Sequence, residues 1–277
     1  MWLLKRQPDG NDQLVSTVVE QKVSRSMPKT GIDYGDKTWN TIVGCRHNCP
    51  WDCWAKKLTT TRLARLYGGN FEDIVFMPER LPQVMQPATK PSKSPNLKEK
   101  EQMVLVNFEG DMWGEWVESR WIRMVLDWCE ENEHNKYMFL TKNPNRYMRH
   151  SCQIVESLAA KNMWFGTSIS GPEDFGRVAN LPTPLIDHGC HMWLSIEPLL
   201  HPFEDDALND LDFYLNNPRS HYGIEWVVIG ALTGKGGKQP EPEWVEMIIE
   251  MCSRHGVPYF LKDNLKGYEE DKHWPEM

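Results

Sequence analysis

The chain has 277 residues and a net charge of -8, from 31 lysines and arginines against 39 aspartates and glutamates. This acidic balance argues against a protein whose main task is to coat nucleic acid. Hydrophobic residues make up 40% of the chain, and no stretch approaches the roughly 18 apolar residues of a membrane span. The seven cysteines, without an export signal, predict reduced thiols and a cytoplasmic location.

The first residues are typical of a β-hairpin. Leu3–Arg6 and residues 14–19 are rich in apolar side chains, and the turn signal Pro8-Asp9-Gly10-Asn11 lies between them. We therefore expect a small N-terminal hairpin extension over residues 1–36, followed by one barrel domain over residues 37–277.

Short apolar runs recur after residue 37, and they do not alternate with polar residues. This pattern is typical of strands buried on both faces, as in parallel sheets that helices cover. Amphipathic stretches of helical length, such as 116–132, 144–160 and 241–255, separate the runs. The repeats predict an α/β protein, a full or partial (βα) TIM-like barrel of about six to eight mostly parallel strands. A doubly wound sheet is the alternative, although the usual GxGxxG signature is missing. The apolar runs are residues 41–43, 103–108, 137–140, 163–165, 192–196, 226–229 and 258–261.

A polar or small residue follows each apolar run. Because the carboxyl ends of parallel strands meet at one edge of a sheet, these residues should converge on a polar pocket. Glu197 lies between apolar neighbours, so its carboxylate should be paired with a positive charge. Lys142 and Lys262, which also follow strands, are the candidates either to neutralise Glu197 or to bind a ligand carboxylate.

The most specific pattern is a group of three cysteines, Cys45, Cys49 and Cys53, within nine residues. A helix would place them on one face, but Pro50 disfavours helical geometry at the residue before it, so the pattern favours a loop. Three interpretations remain open. The cysteines are buried together by chance, or they hold a structural zinc with His47 as fourth ligand, or they hold an iron–sulfur cluster with one iron that lacks a protein ligand.

The cysteine loop after a first barrel strand resembles that of the radical S-adenosylmethionine (SAM) superfamily. The usual motif there is C-x3-C-x2-C, and here the second gap is one residue longer. The resemblance implies a radical SAM type of barrel with a [4Fe-4S] cluster on Cys45, Cys49 and Cys53. Reductive cleavage of SAM would give a 5'-deoxyadenosyl radical that abstracts hydrogen from an unknown small-molecule or macromolecular substrate. The electron would come from a donor such as ferredoxin or flavodoxin.

The same resemblance assigns roles to the polar strand ends. Glu109 and Asp111 follow the second strand, where the superfamily contacts the SAM amino group. The hydroxyls of Thr167 and Ser168 would bind ribose or carboxylate oxygens. Glu197 and Lys142 are the expected catalytic residues. The expected cofactor-binding residues are Trp51, Trp54, Asn107, Glu109, Asp111, Thr141, Thr167, Ser168, Thr233 and Lys262.

A wider resemblance covers residues 31 to 265. The segments that carry it are Thr38-Trp39-Asn40, residues 139–144, 164–168, 194–200, 225–230 and 257–262. In their order and spacing they resemble the phage Gp37/Gp68 family, cysteine-containing proteins with a barrel fold. Two segments depart from that family: residues 230–234 replace its usual Gly-Gly-Glu-Ser-Gly, and residues 111–113 replace its usual Asp-Leu-Phe.

Two alternatives come from other functional classes. One is a non-enzymatic binding or accessory protein that zinc or an iron–sulfur cluster stabilises. The other is a nucleic-acid repair or modification enzyme with the same cluster, which the acidic balance disfavours. Lys56, Lys57, Arg62 and Arg65 form a small basic patch, a pattern more typical of a solvated helix face. The chain lacks GxxxxGK, GxSxG and HExxH, so the sequence does not support an ATPase, a serine hydrolase or a zincin.

Overall fold

The computed structural model describes residues 3–6, 12–15, 27–85, 88, 90–216, 223–268 and 270–277. The main element of the protein is a sheet of seven strands, accompanied by two small two-stranded sheets and by helices. The strands are β1 (Leu3–Arg6), β2 (Asp12–Val15), β3 (Lys37–Trp39), β4 (Ile42–Val43), β5 (Val75–Phe76), β6 (Met103–Val106), β7 (Lys136–Thr141), β8 (Met163–Ile169), β9 (His191–Ile196), β10 (Trp226–Ile229) and β11 (Tyr259–Leu261). The α-helices are α1 (Trp54–Thr60), α2 (Ala64–Tyr67), α3 (Ser119–Glu130), α4 (Asn145–Met148), α5 (Ser151–Glu156), α6 (Asp205–Leu215) and α7 (Pro242–His255). Helices of the 3-10 type span Pro78–Met85, Ala160–Asn162, Pro172–Asn180 and Thr183–His188.

The seven-stranded sheet has the order β3-β6-β7-β8-β9-β10-β11, and every neighbouring pair is parallel. Each strand lies beside the next sheet strand of the chain, and the order never reverses. The doubly wound alternative is therefore wrong, since its order reverses at a switch point. The sheet curls into a half-barrel, because side chains from β6 to β11 meet in one inner cluster. Among the described strands, the edges β3 and β11 do not pair. The predicted partial barrel is confirmed.

The apolar run at residues 41–43 is not a barrel strand, as the sequence had suggested. β4 instead pairs antiparallel with β5, and the first strand of the barrel is β3. The Asn107 Oδ1 atom explains the departure, because it accepts hydrogen bonds from the backbone N–H groups of Thr41 (2.6 Å) and Ile42 (2.9 Å). These bonds hold the chain beside the end of β6 just before the cysteine loop.

The predicted hairpin strands are present. β1 and β2 pair antiparallel, with Leu3 opposite Val15 and Arg6 opposite Asp12. The second strand begins two residues earlier than the apolar pattern indicated. The turn signal at residues 8–11 and the predicted strand residues 16–19 lie outside the described residues.

Both faces of the half-barrel are apolar. The outer face packs against the helices, and the inner face carries a largely aromatic cluster near the starts of the strands. The Tyr34 ring lies edge-on to Trp193, Trp226 and Phe260, with ring centroids 5.6–6.0 Å apart. This filling closes the amino end of the half-barrel and leaves the carboxyl end open for a site. The cluster consists of Tyr34, Met103, Leu105, Met138, Trp164, Trp193, Trp226, Val228 and Phe260.

The helices follow the predicted boundaries with one exception. α7 begins at Pro242 and ends before Gly256, whose φ of 67° is left-handed, as helix ends prefer. The predicted helix over 144–160 is divided into α4 and α5. The division falls next to His150, whose ring packs against the buried Trp113. None of the helices in the described part of the chain has the length and apolar character that a membrane crossing requires.

Candidate functional site

A cavity of about 1180 Å³ opens at the carboxyl edge of the half-barrel. Residues at the ends of β6 to β11 line it, together with the cysteine loop (residues 44–53) and the helices α1 and α2. The sequence therefore predicted the place of the site, since most of its candidate residues meet on this one cavity. Those that line it are Cys45, Cys49, Trp51, Cys53, Trp54, Glu109, Asp111, Thr141, Lys142, Ser168, Glu197, Thr233 and Lys262.

Two of the expected cofactor-binding residues, Asn107 and Thr167, do not line the cavity. Asn107 anchors the backbone that enters β4, as described above. The Thr167 hydroxyl donates a hydrogen bond to the Thr141 backbone oxygen at 2.9 Å. Both side chains secure neighbouring strands, so their positions give no support to the expected contact with a cofactor.

The cysteine loop is irregular backbone, as Pro50 predicted. At its start Gly44 has a φ of 101°, and a side chain there would meet the Asp73 carbonyl oxygen at 2.7 Å. The backbone N–H of Cys45 donates to the Phe71 carbonyl at 2.9 Å, and that of His47 approaches the Cys45 Sγ at 3.5 Å. The loop ends at Cys53, directly before α1. Fixed contacts at both ends therefore bring the three thiols to the wall of one cavity.

Two of the thiols, Cys45 and Cys49, are in an environment that disfavours their anionic form. Burial, together with smaller contributions from the charges of Asp111, Cys49 and Cys53, raises the pKa of Cys45 to about 12, although the hydrogen bond from the His47 backbone opposes the shift. Burial also raises the pKa of Cys49, which Lys142 partly offsets. Because thiolates are the metal-binding form, these sulfurs need a nearby cation before they ionise.

We tested whether this donor set fits a metal group. Among the described residues, no group of three or more His, Cys, Asp or Glu side chains is close enough to hold a single metal ion. A four-iron cluster keeps its sulfur ligands farther apart than a single ion does. Three thiols that line one cavity, each within electrostatic reach of the others, supply the number of sulfur ligands that leaves one iron of such a cluster without a protein ligand.

The Asp111 carboxylate is occupied by the protein. Its Oδ2 accepts hydrogen bonds from His47 Nε2 at 2.6 Å, from the Thr141 hydroxyl at 2.8 Å and from the Lys142 backbone N–H at 3.1 Å. Burial raises the pKa of Asp111, but these bonds and the His47 charge outweigh it and hold the pKa below its ordinary value. Asp111 therefore ties the cysteine loop to β7 through His47 and Thr141.

The Glu109 carboxylate has a different set of partners, which sequence reasoning missed. Its Oε2 accepts a hydrogen bond from the Tyr67 hydroxyl at 2.6 Å, and that hydroxyl accepts one from Arg80 Nη1 at 2.8 Å. Burial and the Glu109 charge raise the pKa of Tyr67 well above its ordinary value, so Tyr67 remains a donor. No spacing rule connects Tyr67 and Arg80 to Glu109, because they come from α2 and the 3-10 helix that follows β5.

Lys142 lies between the cysteine loop and β8. Its Nζ donates to the Ser168 hydroxyl at 3.1 Å and lies 5.2 Å from the centre of the Trp51 ring, a cation–π distance. Burial lowers the pKa of Lys142, while the nearby Cys49 opposes that shift. The ammonium group is thus presented to the cavity beside the cysteines.

Glu197 pairs with Lys262, one of the two lysines that the sequence had proposed for it. Lys262 Nζ contacts Glu197 Oε1 across the end of β10. Gly230 lies between them, and a side chain there would meet Lys262 at 3.0 Å and Glu197 at 3.1 Å. Lys262 also lies over the Tyr34 ring, 5.9 Å from its centre. The pair therefore forms part of the cavity wall at the ends of β9 and β11.

A comparison with protein families gives one match. A family described as "Protein of unknown function (DUF5131)" matches residues 29–273. No curated protein matches the chain.

Solved structures of spore photoproduct lyase have a similar fold. A cysteine-to-serine mutant of that enzyme gives a TM-score of 0.56 at 9% identity, over 87% of this chain and 79% of that chain. A tyrosine-to-phenylalanine mutant gives 0.56 at 10% identity, over 86% and 79%. A double mutant with bound AdoMet and dinucleoside spore photoproduct gives 0.50 at 10% identity, over 84% of this chain and 65% of that one. At such identities the similarity establishes the fold alone.

Proposed function

The chain belongs to the DUF5131 family, and we propose that it is a radical SAM enzyme with a [4Fe-4S] cluster on Cys45, Cys49 and Cys53. One observation carries the proposal: three thiols of a single loop line a deep cavity at the carboxyl mouth of a parallel half-barrel. The fold similarity supports it, since one of the spore photoproduct lyase structures holds AdoMet.

When bound, the cluster and SAM would supply a 5'-deoxyadenosyl radical that abstracts a hydrogen atom from the substrate. The residues of this chain prepare the cavity for that chemistry. Asp111 fixes His47 and so the shape of the cysteine loop. Glu109, held in place by Tyr67, would accept a hydrogen bond from the SAM ammonium group, and Lys142 would bind a carboxylate.

At the ends of β9 and β11, Glu197 and Lys262 would meet the substrate. Lys262 engages one oxygen of the Glu197 carboxylate. The other oxygen, Oε2, would accept a hydrogen bond or a proton from the substrate. The cofactor contacts would be completed by Trp51, Thr141, Ser168 and Thr233, as their places on the cavity wall permit.

Several finer points belong to the same proposal. The electron donor would be a ferredoxin or a flavodoxin, and the enzyme would work in the cytoplasm. The resemblance to phage Gp37/Gp68 proteins and the division into a 1–36 extension and a 37–277 barrel domain stay predictions.

The test is anaerobic reconstitution with iron and sulfide, followed by SAM and dithionite. We expect a brown protein that forms 5'-deoxyadenosine and methionine, and loss of both products in Cys45→Ala, Cys49→Ala and Cys53→Ala. Cys152→Ala is the matched control, because Cys152 is an exposed thiol of α5 outside the cavity lining.

Two outcomes would contradict the proposal. Product formation no higher than in the Cys→Ala variants would exclude SAM cleavage. A colourless protein with stoichiometric zinc would instead favour the non-enzymatic accessory protein.

A further inference from the structure

The rim of the cavity carries an unpaired positive surface on one side. Lys56 and Lys57 lie on α1, and Arg62 and Arg65 follow it on the chain up to α2; all four are exposed. None of the four forms an ion pair with any residue that the structure describes. We call these four residues the basic rim.

The basic rim contrasts with the rest of the molecule. Residues 53–71 contain no aspartate or glutamate, whereas the protein as a whole carries a net charge of -8. Arg62 and Arg65 belong to the cavity lining, and its acidic side chains come from other segments: Asp33, Asp52, Glu79, Glu109, Asp111 and Glu197. Positive potential is thus concentrated where α1 and α2 face the entrance, which attracts an anionic partner.

An exposed aromatic side chain lies within the same surface. Trp54, the first residue of α1, lines the cavity and is 45% exposed. A large aromatic ring left in solvent beside unpaired cations is the combination by which proteins hold single-stranded nucleic acids, with bases on the ring and phosphates on the cations.

The floor of the cavity offers hydrogen bonds instead of an apolar surface. The Ser195 hydroxyl is buried, with 1% of the residue exposed, and has no partner among the described residues. Above it, Glu197 and Lys262 neutralise each other. A neutral ligand that presents donors and acceptors side by side, as the edge of a nucleobase does, matches these groups. A lipid chain or a second charge would leave them unsatisfied.

We propose that the substrate is a single-stranded nucleic acid, whose phosphates lie on the basic rim, with one base stacked on Trp54 or inserted into the cavity. A base must leave a duplex stack before it can enter such a cavity, which is why a single strand is the expected form. This inference rests on the proposed function for its chemistry, but the binding it describes can be measured without SAM cleavage.

The test is fluorescence anisotropy of a fluorescein-labelled oligothymidylate with the reconstituted protein, without SAM or reductant. We expect salt-dependent binding, and the double variant Arg62→Gln/Arg65→Gln should reduce the salt slope by roughly 0.7 for each arginine removed. Trp54→Ala should weaken binding about tenfold, and Trp54→Phe should retain most of it. The matched control is Arg120→Gln/Arg123→Gln, an equal charge change at two exposed arginines of α3 outside the cavity lining.

Three results would overturn the proposal. Equal weakening by the α3 control would show non-specific attraction. Equal competition by inorganic polyphosphate would remove the role of the bases. Binding to phosphatidylserine vesicles without binding to the oligonucleotide would assign the rim to a membrane. If the oligonucleotide binds but SAM is never cleaved, the proposed function fails and the binding surface stands. If SAM is cleaved but the oligonucleotide does not bind, only the proposed substrate class fails.

Discussion

Glu109 and Asp111 leave the same strand end two residues apart, yet their carboxylates meet different partners. Asp111 is buried and receives hydrogen bonds from His47, Thr141 and Lys142. Glu109 is half-buried and is held at one oxygen by Tyr67. The Asp111 carboxylate therefore supports the cysteine loop, while the Glu109 carboxylate has an oxygen left for a ligand.

This difference predicts that two isosteric substitutions affect different quantities, one the stability and the other the binding of SAM. Asp111→Asn should lower the free energy of unfolding by about 2 kcal/mol or more, because it leaves buried donors without their charged acceptor. Glu109→Gln should change the free energy of unfolding little and weaken SAM binding about tenfold, the value of a hydrogen bond between charged groups.

Urea denaturation and equilibrium SAM binding to the reconstituted protein measure the two effects. Unchanged stability of Asp111→Asn, or unchanged SAM affinity of Glu109→Gln, would contradict the assignment of tasks. Tyr67→Phe serves as the companion variant, since it removes only the hydroxyl that positions Glu109 and should weaken SAM binding less than Glu109→Gln does.

The sequence could identify these two residues but not separate their roles. Both follow an apolar run, and that pattern places a polar side chain at the mouth of a parallel barrel. Which of the two carboxylates has its hydrogen bonds made by the protein depends on His47 and Tyr67. The folded chain brings both residues in from outside the main sheet. For the same reason no sequence rule singled out Arg80 or the Ser195 hydroxyl, which has no partner among the residues that the structure describes.

At the level of elements, close packing between β8 and β9 fixes the half-barrel beneath the site. Gly166 lies opposite Trp193 in the register of the two strands. A side-chain atom at Gly166 would lie 2.4 Å from the buried indole ring of Trp193. The indole Nε1 donates to the Phe139 backbone oxygen at 3.0 Å, so the ring cannot move without breaking a buried hydrogen bond.

Gly166→Ala should therefore lower the free energy of unfolding by about 2–3 kcal/mol, as overpacking of a rigid core does. Gly176→Ala is the matched control: nothing lies within 4 Å of the new atom, so this variant should be neutral or stabilised by less than about 1 kcal/mol. Chemical denaturation measures both. Equal stability of the two variants would show that the Trp193 ring can move to accommodate the added methyl group, and the packing argument would fail.

Periodicity predicted most elements because a strand buried on both faces reads as an unbroken apolar run. It misplaced the first barrel strand because β3 spans only Lys37–Trp39, too short a segment to stand out from its surroundings. The run at 41–43 is apolar for another reason. Ile42 and Val43 are buried, and they pair with β5 in a small separate sheet.

At the level of the whole molecule, net charge and charge distribution point to different partners. A value of -8 argues against nucleic acid, whereas the folded chain places cations of α1 and α2, without ion-pair partners among the described residues, beside the cavity. Long-range fields depend on where the charges lie, and a patch within a screening length of the site outweighs distant charges. The positions of the charges, and not their sum, therefore support the proposed partner.

The amino end of the half-barrel, opposite to the cavity, is covered by residues that are distant from one another in sequence. β3 and β11 leave a gap between the described edges of the sheet, and residues 273–277 cover the inner aromatic cluster there. The Trp274 ring packs edge-on against Phe260 at 4.9 Å. Asn96 Nδ2 donates to the Trp274 backbone oxygen at 3.0 Å, and the Trp226 indole donates to the His273 oxygen at 2.9 Å.

Because this cover and the cavity lie at opposite ends, Trp274→Ala should separate stability from function. We expect the free energy of unfolding to fall by about 2 kcal/mol, below the cost for a fully buried tryptophan because Trp274 is partly exposed. SAM affinity measured below the unfolding transition should stay unchanged, since distant sites act independently. Leu158→Ala, at a side chain 75% exposed, should alter neither quantity by more than about 0.5 kcal/mol. A loss of SAM affinity in folded Trp274→Ala would mean that the two ends of the half-barrel are coupled through Phe260 and Tyr34, the member of the inner cluster that also lines the cavity.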